Sequence, residues 1–398
     1  MAEYKILVAP PKPPRRPWVV ALGIVLVLVI GAGAFLIVHN DHKTSGAAAG
    51  TNNHGATGTG RGTGGTVTKL LQVVSTTPAA GATDVPSDQP VTVHLSLPVA
   101  GAAGMPSFSP PVSGTWTRTG PTTLSFEAAA PFIPTTKETL TIPAGSSGPR
   151  STGGEALQAP VTIAFTVAQG STERLQQLLA QLDYLPLSFT PSGPLSSPVK
   201  VITAQTGTFA WRWPGLPASL TSLWTEGYEN IVTKGAVMNF ENQNGLAVDG
   251  LAGTQVWSAL LADVSAAKVN ADPYTYVSVS KQLPENLTLI ANGIPALVNI
   301  PVNTGAPGAD TVDGTFPVFE HIVSSRMKGT NPDGTTYDDP SVPWAAYFNG
   351  GDALHGFVRA TYGSPQSNGC VEMTIADAAK VWPLAPIGTL VTVSGPAS

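Results

Sequence analysis

The chain of 398 residues contains a single cysteine, Cys370, so it can form no intramolecular disulfide and has no cysteine-based zinc cluster or CxxC redox motif. Charge is also scarce. Asp, Glu, Lys and Arg make up 11% of the residues, and 20 basic against 25 acidic side chains leave a net charge of −5. That balance does not make a phosphate-seeking surface, and it excludes nucleic acid as a natural partner. The six histidines are scattered and do not suggest a metal site. There is no P-loop, no GxGxxG following a strand and no HExxH, so no cofactor is implied. Glycine and proline are plentiful, with 42 and 37 residues, as in short-stranded β domains joined by linkers.

One long uncharged run stands out. Trp18 to Val38 is dominated by Val, Leu, Ile, Ala and Gly. At 1.5 Å per residue it makes about 31 Å of helix, enough to cross a bilayer core. Lys5, Lys12, Arg15 and Arg16 precede it. The positive-inside rule then places residues 1–17 in the cytoplasm and everything after His39 outside. A cleaved signal peptide is the alternative, but its apolar region is normally shorter and is followed at once by a small-residue cleavage site. Thr44 to Thr66 consists mostly of Gly, Thr, Ala and Asn and cannot bury a core, so it reads as a flexible tether that includes His54. The expected organisation is a cytoplasmic tail (1–17), a single-pass transmembrane anchor (18–38), a flexible linker (39–68) and three folded regions. The anchor puts those regions at the cell membrane, outside the cell and facing the wall.

The first region, 69–168, has strand patterns. Val91 to Val99 alternates apolar and polar positions, and TLSFEA around Phe126, ETLTIPA around Leu140 and Val161 to Val167 follow at sandwich spacing. The opening STTPAAGATDVP before a strand resembles bacterial immunoglobulin-like surface modules, which implies a β-sandwich spacer. His94 falls on one of these strands and reads as structural. The second region, 169–268, changes period. Leu175, Leu178, Leu179 and Leu182 lie at i, i+3, i+4 and i+7 within a helix expected over Glu173 to Leu185. Lys234 to Leu246 is a second helix, stopped at Asn244-Gly245, and a third follows the glycine turn before Trp257. This series, with Asp249-Gly250, Gly253, Trp257 and Ala259-Leu260, resembles the small helical peptidoglycan-binding module of bacterial wall enzymes. Ser188 to Leu223 reads as an insertion with its own hairpin around GTFAWRW. The third region, 269–398, returns to β patterns. Within it Ser324 to Pro343 is polar and turn-rich and is expected to be irregular, either as a lid or as a surface loop.

The candidate chemistry lies in this third region. Cys370 sits in Ser367-Asn368-Gly369-Cys370-Val371-Glu372, and His355-Gly356 stands fifteen residues before it. A nucleophilic cysteine needs a base, usually histidine, and the N–H groups of a glycine turn can point at a developing oxyanion. An isolated cysteine can equally be a small buried hydrophobe, and residue types alone leave the two readings open.

The spacing HG, ten residues, then S-x-G-C and a hydrophobic residue resembles the L,D-transpeptidase catalytic domain of bacterial cell-wall enzymes. Asp313-Gly314-Thr315-Phe316, Pro343 to Phe348 followed by Gly350, and Asp377 to Trp382 resemble further segments of that family. The resemblance implies a mainly-β catalytic domain and an acyltransferase. Cys370 would attack the carbonyl of the third residue of a peptidoglycan tetrapeptide stem, D-Ala would leave, and an amine of a neighbouring stem would resolve the thioester into a 3→3 cross-link. His355 would be the base, oriented by the Gly356 carbonyl. The N–H groups of Asn368, Gly369 and Cys370 would form the oxyanion site, and Ser367 would hold the loop and substrate. Tyr347 and Trp344 would be groove walls or core strand residues. Carbapenem-type β-lactams would be inhibitors, and no metal is implied.

Two residues depart from the family pattern. Asn368 stands where histidine is common, which leaves His321 as a candidate substitute. Glu372 stands where Arg or Asn is usual and is expected to reverse a charge beside a substrate that carries carboxylates. A sortase-like enzyme lacks support, since no TLxTC-like strand end is present. A non-catalytic wall-binding scaffold, and an L,D-carboxypeptidase in which water resolves the same thioester, remain as alternatives.

Overall fold

The computed structural model describes residues 70–100, 104–193 and 202–395. The anchor expected at 18–38, its cytoplasmic tail and the linker at 39–68 lie outside these residues. Among the described residues no helix is long and apolar enough to cross a membrane.

The first region is a β-sandwich. One sheet has the order β1 (Val73–Thr77), β2 (Val91–Leu95), β5 (Thr123–Ala128), β4 (Gly114–Gly120), and the other has β3 (Ser107–Ser109), β6 (Lys137–Ile142), β7 (Val161–Thr166). Alternation sets the core: Val91, Val93 and Leu95 of β2, Leu124 and Phe126 of β5, and Leu140 and Ile142 of β6 all face inward. Phe132 and Phe165 meet edge to face at 5.7 Å between them.

Three helices dominate the second region: α1 (Thr172–Gln181), α3 (Ile231–Asn244) and α4 (Thr254–Ser265), with a short α2 (Ala218–Thr221). The expected hairpin is present as β8 (Leu187–Pro191) paired antiparallel with β9 (Gly207–Trp211). Ser171 caps α1 by accepting the Arg174 N–H, as a serine N-cap should. The helix ends four residues earlier than the leucine period suggests. Asp183 takes φ 64°, and the Tyr184 N–H returns to the Leu179 carbonyl. Leu182, Tyr184 and Leu185 are still buried, so their apolar period reflects packing after a chain reversal rather than continued helix. α3 starts three residues before the expected position because Asn230 caps it through Thr233 N–H, and it stops at left-handed Gly245. Leu178, Leu179, Phe240, Trp257 and Leu260 form the core, which Tyr276 and Leu390 of the third region complete.

The third region packs two sheets. The first has the order β12 (Ile294–Pro301), β11 (Asn286–Ala291), β10 (Thr275–Ser280), β18 (Leu390–Ser394), β13 (Gly314–Pro317). The second has β14 (Glu320–Thr330), β15 (Thr336–Asn349), β16 (Asp352–Gly356), β17 (Val371–Met373), followed by α5 (Ile375–Val381). Between them lie Val277, Val279, Leu287, Leu289, Phe348, Leu354, Val371, Met373 and Val391. Two pairings are parallel, β10 with β18 and β16 with β17.

The segment 324–343 is not irregular. β14 and β15 pair from Glu320↔Tyr347 to Thr330↔Thr336, closed by a turn in which the Asn331 N–H donates to the Thr335 carbonyl. Both faces of this arm are polar, so it has no apolar alternation to read, and the backbone ladder forms it without a core.

Gly245→Val places a β-branched residue at φ 67°. A loss of about 1–2 kcal/mol is expected in urea unfolding followed by helical circular dichroism.

Candidate active site

The parallel ladder between β16 and β17 sets the position of every chemical group. Leu354 pairs with Val371 and His355 with Glu372. His355 and Gly356 therefore end one strand where Cys370 leads into the next. The loop between them, 357–370, is fastened at several points. Ser367 Oγ donates to the Cys370 carbonyl (2.6 Å) and accepts from Gly369 N–H (3.2 Å). Thr311 Oγ1 donates to the Gly369 carbonyl (2.8 Å). The Ser367 N–H donates to the Thr304 carbonyl, and both Thr304 N–H and its hydroxyl donate to buried Glu285.

Gly369 has to be glycine. Its φ is 111°, and a Cβ there would lie 2.5 Å from Asp352 Oδ1. Its N–H is already bonded to Ser367. Of the three N–H groups expected at an oxyanion site, those of Asn368 and Cys370 have no partner among the described residues. The Asn368 side chain donates to Asn331 Oδ1 (2.6 Å), tying the tip of the β14–β15 arm to the cysteine loop.

His355 is buried, and its Nδ1 lies 3.2 Å from the Gly356 carbonyl. A carbonyl only accepts, so Nδ1 bears the proton and Nε2 is left with a free lone pair, the tautomer a base needs. Burial lowers the imidazole pKa below its ordinary value, and Arg359 adds to this. The Gly356 carbonyl and the Glu372 carboxylate oppose it.

The Cys370 thiol is pushed up to about 12. Burial is the main cause, the Ala353 N–H opposes it, and the Asp352 and Glu372 carboxylates add to it. Sγ donates weakly to the Gly351 carbonyl at 3.6 Å, not to the imidazole, so the Cys–His pair is not closed in this conformation.

Glu372 does not project a bare negative charge toward substrate. It is buried and holds Arg359 through two bonds, Nε to Oε2 at 2.7 Å and Nη2 to Oε1 at 2.8 Å. Arg359 lies over the Phe357 ring at 4.8 Å, and Phe357 meets the His355 ring edge to face at 6.0 Å. The acid expected to reverse the local charge is thus neutralised by a base from the loop that precedes its strand.

His321 does not join the site. Its ring stacks on Trp382 at 3.7 Å, and Nε2 lies 2.9 Å from the Trp382 carbonyl. Trp344 packs against Trp382 as a core residue. Tyr347 is half-buried with its hydroxyl bonded to Ser325 (2.8 Å), and it pairs across β16 with Ala353, whose N–H faces Sγ. Sequence reading did not single out Arg359, Asp352, Thr311 or Tyr337. Tyr337, on the polar arm, lies near Asn368 and within electrostatic reach of Cys370. Among these, Arg359 was the one readable signal, a base between HG and Cys370 opposite in charge to Glu372 in a charge-poor chain.

Residues 273–393 match the YkuD family, the L,D-transpeptidase catalytic domain. Residues 67–167 match the bacterial Ig-like domain family. No curated protein matches the chain. Among solved structures, an L,D-transpeptidase from Mycobacterium smegmatis aligns over 82% of this chain and 100% of its own, at 13% identity and a TM-score of 0.28. L,D-transpeptidase 3 from Mycobacterium tuberculosis, in complex with a faropenem-derived adduct, aligns over 81% and 97% at 13% identity and 0.28. The catalytic domain of the E. faecium L,D-transpeptidase aligns over 30% and 96% at 26% identity and 0.28. With scores this low, the assignment of the third region rests on the family match. Cys370, His355 and Gly356 all lie within the YkuD-matching segment.

Arg359→Ala leaves the Glu372 carboxylate buried without its partner. A loss of about 2 kcal/mol or more is expected in denaturant unfolding, and Arg359→Met with Glu372→Met should recover much of it.

Proposed function

We propose that the chain is an L,D-transpeptidase that forms 3→3 peptidoglycan cross-links through a thioester on Cys370. The carrying observation is the Gly356 carbonyl on Nδ1 of buried His355, at the end of the strand beside the cysteine loop. That contact leaves Nε2 as a neutral base.

The resting pair is a thiol and a neutral imidazole. His355 takes the thiol proton as Sγ attacks the third-residue carbonyl of a donor stem. The C–N bond to D-Ala breaks, and the same proton passes to the leaving amine. The Asn368 and Cys370 N–H groups face the oxyanion. An acceptor-stem amine then attacks the thioester, forms the new amide and returns the thiol. Ser367, Thr311 and Gly369 keep the loop in shape, and Tyr347 and the β14–β15 arm flank the donor stem. The same acyl-enzyme with water as acceptor gives an L,D-carboxypeptidase, and an inert Cys370 gives a wall-binding scaffold.

The remaining regions fit an enzyme held near the wall. The segment 18–38 anchors the chain in the membrane with residues 1–17 in the cytoplasm. The Ig-like sandwich is a spacer. The helical region binds peptidoglycan, with a cavity of about 570 Å³ between α1, α3 and the Gly250–Gly253 turn as the place for it. Carbapenem-type β-lactams acylate Cys370.

Intact-mass measurement on the full-length protein with a disaccharide-tetrapeptide should show a thioester adduct and 3→3 dimers, both absent in Cys370→Ala. Tripeptide without dimers would indicate the carboxypeptidase, and neither product from folded protein would leave the scaffold. His355→Ala should lower kcat/KM about 10²- to 10⁴-fold. The working form of His355 is neutral and its pKa is lowered. Activity should therefore hold as pH falls from 8 and decline along an acid limb centred below 6.5, read from kcat/KM against pH.

A further inference from the structure

Glu138 occupies an apolar position. It lies on the inward face of β6 in line with Leu140 and Ile142, and it is 3% exposed. Its Oε2 has no hydrogen-bond partner among the described residues, and neither does Oγ1 of Thr136, which is 8% exposed. Leaving such groups unpaired away from water is costly.

Both side chains line the same cavity, about 280 Å³ in volume, between the Ig-like sandwich and α4. That is far more than one water needs, at about 30 Å³ each in the liquid. Pro111, Phe132 and Ile133 form apolar walls, and Ser258 of α4 stands on the opposite side. Next to the cavity, Thr135 Oγ1 and Thr254 Oγ1 bond at 2.7 Å across the seam. Glu138 is the one titratable side chain in the lining, and burial alone raises its carboxyl to about 7.

We propose that this cavity binds a primary ammonium group carried on a short apolar stem. The ammonium pairs with the Glu138 carboxylate beside Thr136 in the cavity lining, and the methylenes lie against Pro111, Phe132 and Ile133. A cation suits the site because its lining holds one carboxyl group and no basic residue. Two sources share this chemistry, a free alkylamine and the side-chain amine of a diamino acid in a wall peptide. The site does not depend on the reading of Cys370.

The test is calorimetric titration of the full-length protein carrying Cys370→Ala, which removes turnover from the measurement. Pentylamine should bind, and pentan-1-ol should bind at least tenfold more weakly. Pentylamine affinity should rise about tenfold from pH 6 to pH 8, because a carboxyl titrating near 7 goes from mostly protonated to mostly ionised while the amine stays charged. Glu138→Gln should bind at least tenfold more weakly and lose that pH dependence. Ser258→Trp, which fills the cavity from α4, should also weaken binding. A stem peptide with a free side-chain amine, compared with its N-acetylated form, separates the sources. Binding of the free form alone assigns the wall peptide, and binding of pentylamine alone assigns free amines. Equal binding of pentan-1-ol, unchanged binding in Glu138→Gln, or no binding of millimolar pentylamine to folded protein overturns the proposal, the last outcome leaving a cavity that holds only water.

Discussion

The Leu354↔Val371 and His355↔Glu372 pairs of the β16–β17 ladder constrain everything chemical in the third region. Parallel strands cannot be joined by a tight turn, so the chain needs a connection, and here it is the loop 357–370. That loop carries Arg359, Ser367, Asn368 and Gly369 and delivers Cys370 beside the end of β16. A slip of one residue in this register would turn His355 away from the core and break the contact between β17 and Leu354. Buried Leu354, Val371 and Met373 prevent that slip.

Burial then sets the electrostatics. A buried imidazole with a carbonyl on Nδ1 stays neutral, and a thiol beside two carboxylates stays protonated. Both groups rest uncharged, which avoids the cost of holding an isolated ion pair in a poorly solvated site. The one full ion pair nearby, Arg359 with Glu372, is bidentate, and it fixes the loop to β17. Glu241 in the helical region shows a different use of a buried acid. One of its oxygens accepts from the Asp249 and Gly250 N–H groups, so it shapes the turn before α4. Glu138 has no comparable partner, which is what separates it from a structural carboxylate.

The polar arm shows where reading from pattern fails. Ser324 to Pro343 carries no apolar alternation because this outer part of the β14–β15 hairpin contributes no residue to the core between the sheets. Its regularity comes from backbone pairing and the Asn331–Thr335 turn. The same arm brings Asn331 and Tyr337 to Asn368, far from them in sequence. The end of α1 fails in the other direction. Leu182 and Leu185 keep the apolar period past the last helical residue because the core, not the helix, buries them.

The sequence by itself determined the elements whose signal is local. These are the alternating strands of the sandwich, the leucine face of α1, the Asn244-Gly245 stop, and the HG and S-x-G-C spacing that brought Cys370, His355 and Gly356 forward. Periodicity, capping and glycine turns act within a few residues and can be read from the chain alone. Only the tertiary structure decided that Arg359 neutralises Glu372, that Gly369 spends its N–H on Ser367, that His321 stacks on Trp382, and that Glu138 opens onto a cavity. Each of these depends on which side chains meet across strands and between regions, and on how much water is excluded there.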